Sequence, residues 1–204
     1  MKIISLLSPD YRSNSFLLIS NDRCAVVDPG QPLDIYQKAF QSHGVLPDMI
    51  ILTHAHFDHI FSLDALRDMY SVPVYVHENE SDSLADSEKN AYSSFFGGKL
   101  KMKPADFTFN ENTELEIAGE KIKILHTPGH TAGSSCFLTG NALITGDTLF
   151  SDSVGRTDLY GGDQYTLLNS LKILRKIPDA RNITIYPGHG PTETLSNALD
   201  NVFY

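Results

Sequence analysis

The apolar residues of this chain form short runs that predict β-strands. Phe16-Leu-Leu-Ile and Cys24-Ala-Val-Val are separated by Asn21-Asp22, a pattern that predicts a β-hairpin ending at Asp28-Pro29-Gly30. Met49-Ile-Ile-Leu is apolar throughout, which predicts a strand buried on both faces. Similar runs predict further strands at 72–76, 114–117, 121–125, 134–138, 142–145 and 183–186.

Segments with helical spacing lie between these strands. Predicted helices cover residues 32–43, about 58–70, a short exposed segment within 78–88, and 164–177. Residues 89–112 are the least regular part and predict a long loop or lid. Strands and a helix, followed by strands and a helix again, predict an α/β fold. We expect an αββα sandwich of two face-to-face mixed β-sheets flanked by helices, as a single domain over residues 1–204.

Composition and charge exclude several classes of protein. The net charge of −9 argues against a nucleic-acid surface, which needs clustered lysine and arginine. No apolar run approaches the ~18 residues of a membrane span, and the first residues do not resemble a signal peptide. The two cysteines, Cys24 and Cys136, lie in apolar runs and indicate no disulfide framework. We therefore expect a cytoplasmic protein without nucleic-acid or membrane partners.

The densest group of metal-binding side chains follows the predicted strand at 49–52. Three histidines and one aspartate lie in the segment Thr53-His54-Ala55-His56-Phe57-Asp58-His59. Side chains two residues apart on an extended chain point to the same side, so His54 and His56 can hold one metal ion together. Asp58 and His59 follow where the chain turns into a helix, and they can face a second ion. Imidazole and carboxylate are ligands that suit zinc and its neighbours.

Three later strands each end in a turn that offers one further ligand. The residues concerned are His130 in Thr-Pro-Gly-His, Asp147 in Thr-Gly-Asp and His189 in Tyr-Pro-Gly-His. Proline and glycine favour tight turns that present the histidine, and a carboxylate can bridge two cations with its two oxygens. Together with the first motif, these residues predict a two-metal site. The remaining histidines are interpreted as ordinary surface or core residues: His43, His77 and His126.

This ordered set of motifs resembles the metallo-β-lactamase superfamily from about residue 14 to residue 192. Asp28 matches the superfamily's first, mostly structural, acidic position. Within the superfamily the chain is similar to the glyoxalase II group (hydroxyacylglutathione hydrolases) in the motifs Leu149-Phe150, Gly155-Arg-Thr-Asp158, Gly161-Gly-Asp163 and Pro187-Gly-His-Gly-Pro-Thr192. About a dozen residues follow, so it resembles a short, single-domain branch. That branch lacks the C-terminal helical domain with which full-length glyoxalase II enzymes hold glutathione.

The resemblance implies an assignment of metal ligands. It assigns His54, His56 and His130 to the first metal, Asp58, His59 and His189 to the second, and Asp147 to both. It also implies two divalent cations, zinc with iron or manganese as alternatives, and a metal-bridging hydroxide that attacks a thioester carbonyl of the S-D-lactoylglutathione type. As the catalytic residue, Asp58 would orient this hydroxide and shuttle its proton.

Arg156 and Tyr160, which follow the Asp147 motif, are candidates for substrate contacts. Arg156 could bind a substrate carboxylate, and Tyr160 lies close to it in the sequence. The alternative for Arg156 is an ion pair with Asp158 or another acid that braces the loop. We expect the partner to be a small-molecule thioester or ester, and the protein to be a monomer or a small homo-oligomer.

Other activities on the same superfold stay open. A persulfide dioxygenase would use one iron held by two histidines and one aspartate, and the complete set of seven ligands favours the dinuclear hydrolase over it. A non-catalytic binding module would be expected to have lost a ligand. Hydrolysis of a lactone or another ester fits the same residues, because the fold alone does not determine the substrate.

Overall fold

The computed structural model describes residues 1–8, 10 and 12–203, and within them the strands form two six-stranded sheets. The first sheet contains, in spatial order, β1 (Lys2–Leu6), β2 (Ser15–Ser20), β3 (Arg23–Val27), β4 (Leu46–Ile51), β5 (Val74–His77) and β6 (Phe107–Phe109). The second contains β7 (Leu115–Ile117), β8 (Glu120–His126), β9 (Ser135–Thr139), β10 (Ala142–Gly146), β11 (Thr184–Pro187) and β12 (Glu193–Thr194).

Helices cover the outer faces of both sheets. The α-helices are α1 (Leu33–His43), α2 (Leu63–Tyr70), α3 (Tyr92–Phe96), α4 (Gln164–Leu174) and α5 (Leu195–Phe203). Single 3-10 turns occur at Phe57–His59, Glu78–Glu80, Ser83–Ala85 and Ala180–Asn182.

The apolar strands are buried on both faces because each sheet lies between the other sheet and a helical layer. Phe16 of β2 packs in the cluster between the sheets, with Phe137 of β9, while its neighbour Leu17 packs with Tyr36 of α1. On the far side, Leu143 of β10 packs with Leu171 of α4. Successive residues of one strand thus enter different cores, as the period of two requires. The predicted αββα sandwich of two mixed sheets is confirmed.

Parallel pairing brings the ends of several strands to one edge. In the first sheet β3, β4 and β5 run parallel, and in the second β10 and β11 do so. Strand β8 pairs antiparallel with β9, which pairs antiparallel with β10, so β8 also runs in the direction of β10. The loops that follow β8, β10 and β11 therefore leave the second sheet at the same edge.

The predicted helix at 58–70 begins later than its apolar spacing suggested. Residues 57–59 form a 3-10 turn, and α2 begins at Leu63. Tertiary hydrogen bonds explain the break. Ser62 donates from its backbone N–H to the carbonyl of Pro29 at 2.8 Å and from its hydroxyl to the carbonyl of Gln31 at 2.6 Å. These bonds hold the start of α2 against the loop after β3 and leave Asp58 and His59 outside the α-helix.

The segment predicted as a short exposed helix, 78–88, is two 3-10 turns that bury Glu80 and Leu84. The segment predicted to be irregular, 89–112, contains α3 and also β6, which pairs parallel with β5. Elements of three to five residues give too little periodicity to be recognised in a sequence. Helix α5 was not predicted either; its Leu195, Ala198 and Leu199 are buried against the second sheet.

Candidate metal centre

The seven predicted ligands lie together, although they come from both sheets. His54 and His56 follow β4, while Asp58 and His59 lie in the 3-10 turn after it. The other three lie just beyond the ends of strands in the second sheet: His130 after β8, Asp147 after β10 and His189 after β11. The centre therefore joins residues that are up to 135 positions apart in the chain, from His54 to His189.

His54, His56 and His130 form the first group. His130 Nε2 lies 3.2 Å from His54 Nε2 and 2.9 Å from His56 Nδ1. A tetrahedral metal ion bound to histidine nitrogens at 2.0–2.1 Å places those nitrogens about 3.3 Å apart. His130 Nε2 therefore lies at about the distance expected for a shared ion from each of the other two ring nitrogens, and all three residues offer atoms within 4.8 Å of one another.

Hydrogen bonds on the outer side of two rings assign their tautomers. The Nδ1–H of His130 donates to the carbonyl of Arg156 at 2.7 Å. The Nδ1–H of His54 donates to the hydroxyl of Thr53 at 3.1 Å, because that hydroxyl donates its own proton to Asp28 at 2.5 Å. In the neutral form of each ring, Nε2 then carries a lone pair and no proton, and the two lone pairs face each other. A bound cation is the arrangement that makes this contact favourable.

Asp58, His59 and His189 form the second group, and Asp147 lies between the two groups. His189 Nε2 lies 3.1 Å from Asp58 Oδ2, and His59 Nε2 lies 3.8 Å from the same oxygen. Asp147 Oδ1 lies 3.3 Å from His59 Nε2, while its Oδ2 lies 3.6 Å from His130 Nε2 and 3.5 Å from His189 Nε2. The carboxylate of Asp147 is thus placed to serve both groups with different oxygens.

Buried polar atoms in this centre lack hydrogen-bond partners within the described residues. They include His59 Nε2 and Asp147 Oδ1, which face each other. A buried polar atom without a partner costs about 1–3 kcal/mol. A divalent cation accepts imidazole and carboxylate ligands together, so this donor set fits the metal ions that the sequence predicts.

Asp28 supports the centre from behind, in line with the structural role that the resemblance implies. Its buried carboxylate accepts hydrogen bonds from the backbone N–H of Thr53 at 2.7 Å and from His59 Nδ1 at 2.9 Å. The second bond leaves Nε2 of His59 directed at the centre. Asp28 itself has a φ of 50°, an uncommon conformation for a residue other than glycine, at the end of β3.

The pKa directions differ between the two groups. Burial, followed by the neighbouring histidines, lowers the pKa of His54 well below its ordinary value, and burial lowers that of His56 to about 3. Burial acts in the same sense on His59, but Asp147, Asp58 and Asp28 outweigh it and raise its pKa well above the ordinary value. His54 and His56 are therefore neutral donors, whereas Asp58 in the second group and Asp147 between the two groups bring negative charge.

Glu80 is a supporting residue that the sequence did not reveal. Its buried carboxylate accepts from the backbone N–H of Ala55 at 3.1 Å and of Gly133 at 2.9 Å, and it also bonds to the hydroxyl of Thr131. One side chain thus joins the loop that carries His54 and His56 to the loop that carries His130. Its apolar neighbour Leu84 was the available signal, but an acidic, serine-rich segment indicates exposure.

Two glycines allow loops to approach the ligands closely. A Cβ at Gly188 would collide with Oδ1 of Asp147 and lie 2.8 Å from a ring carbon of His59. A Cβ at Gly155 would collide with the carbonyl of Asp147 and lie 2.9 Å from Nδ1 of His130. Both glycines belong to motifs that carry the resemblance, and the contacts explain why a side chain does not fit there.

A cleft of about 530 Å³ opens onto the centre. Its lining includes five of the seven predicted ligands and the aromatic side chains Phe57, Phe95, Phe96 and Phe150. Arg156 also lines it, but the guanidinium donates to the carboxylate of Asp158 at 2.6 and 2.7 Å, which is the bracing alternative considered above. Tyr160 is 53% exposed and does not line the cleft. The substrate role of both residues stays a prediction.

The other histidines lie away from this cleft. The rings of His77 and His126 stack with centroids 4.1 Å apart and 13° between their planes. Together with Glu111 they offer atoms within 4.8 Å of one another. Stacked rings hold their in-plane lone pairs in parallel planes that do not converge on a common point, so this group is less suited to hold an ion than the main centre. His43 is exposed at the end of α1.

Sequence comparison identifies the family. A model of the Metallo-beta-lactamase superfamily matches residues 9–189, and the chain belongs to that superfamily. YqgX of Bacillus subtilis (strain 168), named as a probable metallo-hydrolase, is 39% identical over 196 residues, which cover 94% of this chain and 92% of the relative. MJ0888 of Methanocaldococcus jannaschii, also named as a probable metallo-hydrolase, is 36% identical over 192 residues and covered to 92% in both chains.

Solved structures share the fold. The BLEG-1 B3 metallo-beta-lactamase is 35% identical with a TM-score of 0.89, over 98% of this chain and 97% of the other. TTHA1623, solved in a di-iron-bound form, is 30% identical with a TM-score of 0.83, over 98% of each chain. ETHE1 from Myxococcus xanthus is 24% identical with a TM-score of 0.79, over 96% of this chain and 80% of the other, a likeness of fold alone. Among the described helices, none has both the length and the apolar character needed to cross a membrane.

Proposed function

We propose that the protein is a dinuclear metal-dependent hydrolase of thioesters, with S-D-lactoylglutathione as the reference substrate from the glyoxalase II-like motifs. In this proposal His54, His56 and His130 hold one ion, Asp58, His59 and His189 hold the other, and Asp147 serves both. The observation that carries it is that Nε2 of His130 and Nε2 of His54 lie 3.2 Å apart with their lone pairs facing each other. In the same centre, Oδ1 of Asp147 has no hydrogen-bond partner among the residues that the structure describes. Divalent cations held by these residues would supply hydroxide at neutral pH and polarise a carbonyl.

The chain's own residues provide positioning and proton transfer. Asp58 lines the cleft and lies 3.1 Å from His189, so its carboxylate is held in place while facing the substrate. It can accept the proton of an attacking water and deliver it to the leaving thiolate. Asp28 and the carbonyl of Arg156 hold the rings of His59 and His130 in the tautomers that direct Nε2 inward.

Zinc is the proposed metal, with iron or manganese as the alternatives. Nitrogen and carboxylate ligands accept all three, and the di-iron-bound form of the related TTHA1623 supports iron as a real competitor. The proposal includes a small-molecule substrate, a monomer or small homo-oligomer, a cytoplasmic location, and no nucleic-acid or membrane partner. The net charge of −9 supports the exclusion of nucleic acid.

A second candidate is hydrolysis of a β-lactam amide. It is favoured by the 35% identity to the BLEG-1 B3 metallo-beta-lactamase over nearly the whole of both chains. The persulfide dioxygenase alternative has weaker support, since the likeness to ETHE1 concerns the fold alone and all seven ligands of the dinuclear set are present.

The decisive variant is Asp58→Ala, with Asp152→Ala as an exposed control. We expect the first to lower turnover of S-D-lactoylglutathione at least about a hundredfold and to lose one of two bound ions by mass spectrometry, because it removes a ligand and the proton acceptor. The control should keep both. Unchanged turnover in Asp58→Ala refutes the mechanism. Oxygen consumption with glutathione persulfide, or faster cleavage of a β-lactam, would instead favour the corresponding alternative.

A further inference from the structure

Four phenylalanines line the cleft that contains the candidate metal centre. We call Phe57, Phe95, Phe96 and Phe150 the aromatic wall. The ring centroid of Phe57 lies 5.2 Å from that of Phe95 and 5.4 Å from that of Phe96. Phe150 lies edge-on to His189, with ring centroids 6.0 Å apart. The wall is therefore continuous with the metal centre at both Phe57, which precedes Asp58, and Phe150.

Two members of the wall are incompletely covered. Phe95 is 51% exposed and Phe96 is 52% exposed, although both lie in a concave part of the surface. Removing apolar surface of this kind from water is favourable, and the cleft leaves room for a molecule to do so. An aromatic or aliphatic group that enters the cleft would cover both rings.

Hydrogen bonds of Asn90 fix the position of the segment that carries Phe95 and Phe96. Helix α3, which carries Phe95 and Phe96, begins after Asn90, whose side chain accepts from the N–H of Tyr92 at 3.1 Å and donates to the carbonyl of Leu100 at 3.0 Å. The backbone carbonyl of Asn90 accepts from the N–H of Phe57 at 2.9 Å. The wall is thus positioned relative to the loop that carries the ligands.

The cleft offers little to a charged leaving group. Arg156 is its one lysine or arginine among the described lining residues, and two of its guanidinium nitrogens already donate to Asp158. The same guanidinium lies 5.5 Å from the ring centroid of Phe95. A glutathione thioester carries carboxylates and an ammonium group at neutral pH, and an apolar wall with one paired cation does not compensate for their loss of water.

From these contacts we infer that the cleft selects thioesters and esters with a neutral aromatic or other bulky apolar group, and that Phe95 and Phe96 determine this preference over glutathione thioesters. The inference rests on the proposed function, because it names the substrate class of the same site. It assigns to Phe95 and Phe96 a role in substrate binding, with no part in the chemical step.

Matched thioesters of N-acetylcysteamine test the inference, since their phenylacetyl and acetyl forms differ only in the apolar group. We expect kcat/KM for the phenylacetyl form to exceed that for the acetyl form, and that for S-D-lactoylglutathione, by at least about tenfold. Phe95→Ala and Phe96→Ala should each lower the phenylacetyl value by about tenfold and the acetyl value by less than about twofold. Phe107→Ala is the control, because Phe107 is 53% exposed but lies outside the cleft.

Binding of a neutral thioether, S-benzyl-N-acetylcysteamine, supplies a readout that does not depend on turnover. Calorimetry on metal-loaded and chelator-treated protein should show binding that Phe95→Ala weakens and Phe107→Ala does not. Equal kcat/KM for all thioesters, a preference for S-D-lactoylglutathione, or wild-type behaviour of both wall variants overturns the inference while leaving the hydrolase intact. Wall-dependent binding of the thioether without cleavage of any thioester refutes the proposed function and leaves the apolar cleft supported.

Discussion

Glu80 connects the two loops that carry the first group of histidines, so its replacement should damage both the fold and that group. Glu80→Ala removes the acceptor for the buried N–H groups of Ala55 and Gly133. An unpaired buried donor costs about 1–3 kcal/mol, so the two together cost on the order of 2–6 kcal/mol. Burial raises the pKa of Glu80, which means that the buried charge is itself unfavourable, and its removal offsets part of this loss.

The expected net decrease in the free energy of unfolding is about 2–3 kcal/mol, or roughly 5–10 °C in Tm for a domain of this size. Affinity for the first metal should fall about 10–100-fold, as is typical when a group that orients ligands is lost. The second metal should be less affected, because Asp58, His59 and His189 make no hydrogen bond to Glu80 among the bonds that the structure describes.

The assay is chelator competition with stepwise metal analysis, together with urea unfolding of the metal-free protein. Glu78→Ala is the matched control, because Glu78 lies two residues away and is exposed. Glu80→Gln is a milder variant that keeps one acceptor and should fall between the two. If Glu80→Ala binds the first metal as tightly as Glu78→Ala and unfolds at the same urea concentration, the positioning role is wrong.

Three further perturbations follow from the geometry. Gly188→Ala should lower metal content, because its Cβ would displace Oδ1 of Asp147, whereas Gly98→Ala, which meets only Tyr92 at 3.3 Å, should retain both ions by mass spectrometry. Burial lowers the pKa of His77 to about 4. As the pH falls below 6.5, this imidazole therefore takes up a proton in the unfolded chain, whereas in the folded protein it stays neutral until the pH is near 4. The free energy of unfolding should therefore decrease by about 2 kcal/mol from pH 7 to 5 through this residue, and His77→Phe should lose that part of the slope in urea titrations. Removal of metal with a chelator should lower Tm, because it leaves the lone pairs of His54 and His130 facing each other without a cation. If the chelator-treated protein and the protein saturated with zinc have the same Tm, this expectation is wrong.

The local patterns in the sequence predicted most of the framework. The hairpin around Asn21-Asp22 is present as β2 and β3, and the apolar run after Pro47 is present in β4. These predictions succeeded because a strand buried on both faces needs an unbroken apolar run, which is visible in any sequence. Short elements such as α3 and β6 could not be predicted, because they are defined by contacts with distant residues rather than by periodicity.

For the candidate centre, the sequence by itself determined which residues can bind metal and at which strand ends they occur. The spacing in His54-Ala-His56 and the turns before His130 and His189 are local properties. Tertiary structure decided how these segments meet, because the ligands come from two sheets that pack face to face. It also decided the tautomers of His59 and His130, which depend on the remote Asp28 and Arg156, and that of His54, which depends on Asp28 through the hydroxyl of Thr53.

Tertiary structure likewise decided the surroundings of the centre. Burial of Glu80 depends on backbone N–H groups of Ala55 and Gly133, which lie 25 and 53 residues away. The aromatic wall combines Phe57 with Phe95, Phe96 and Phe150 from three separate segments of the chain, and no local pattern relates these segments. Metal ligands can be recognised from the sequence because their chemistry is restricted to a few residue types. The residues of the substrate cleft cannot be recognised in this way, because an apolar side chain in a sequence can belong to the core or to a cleft, and only the fold decides which.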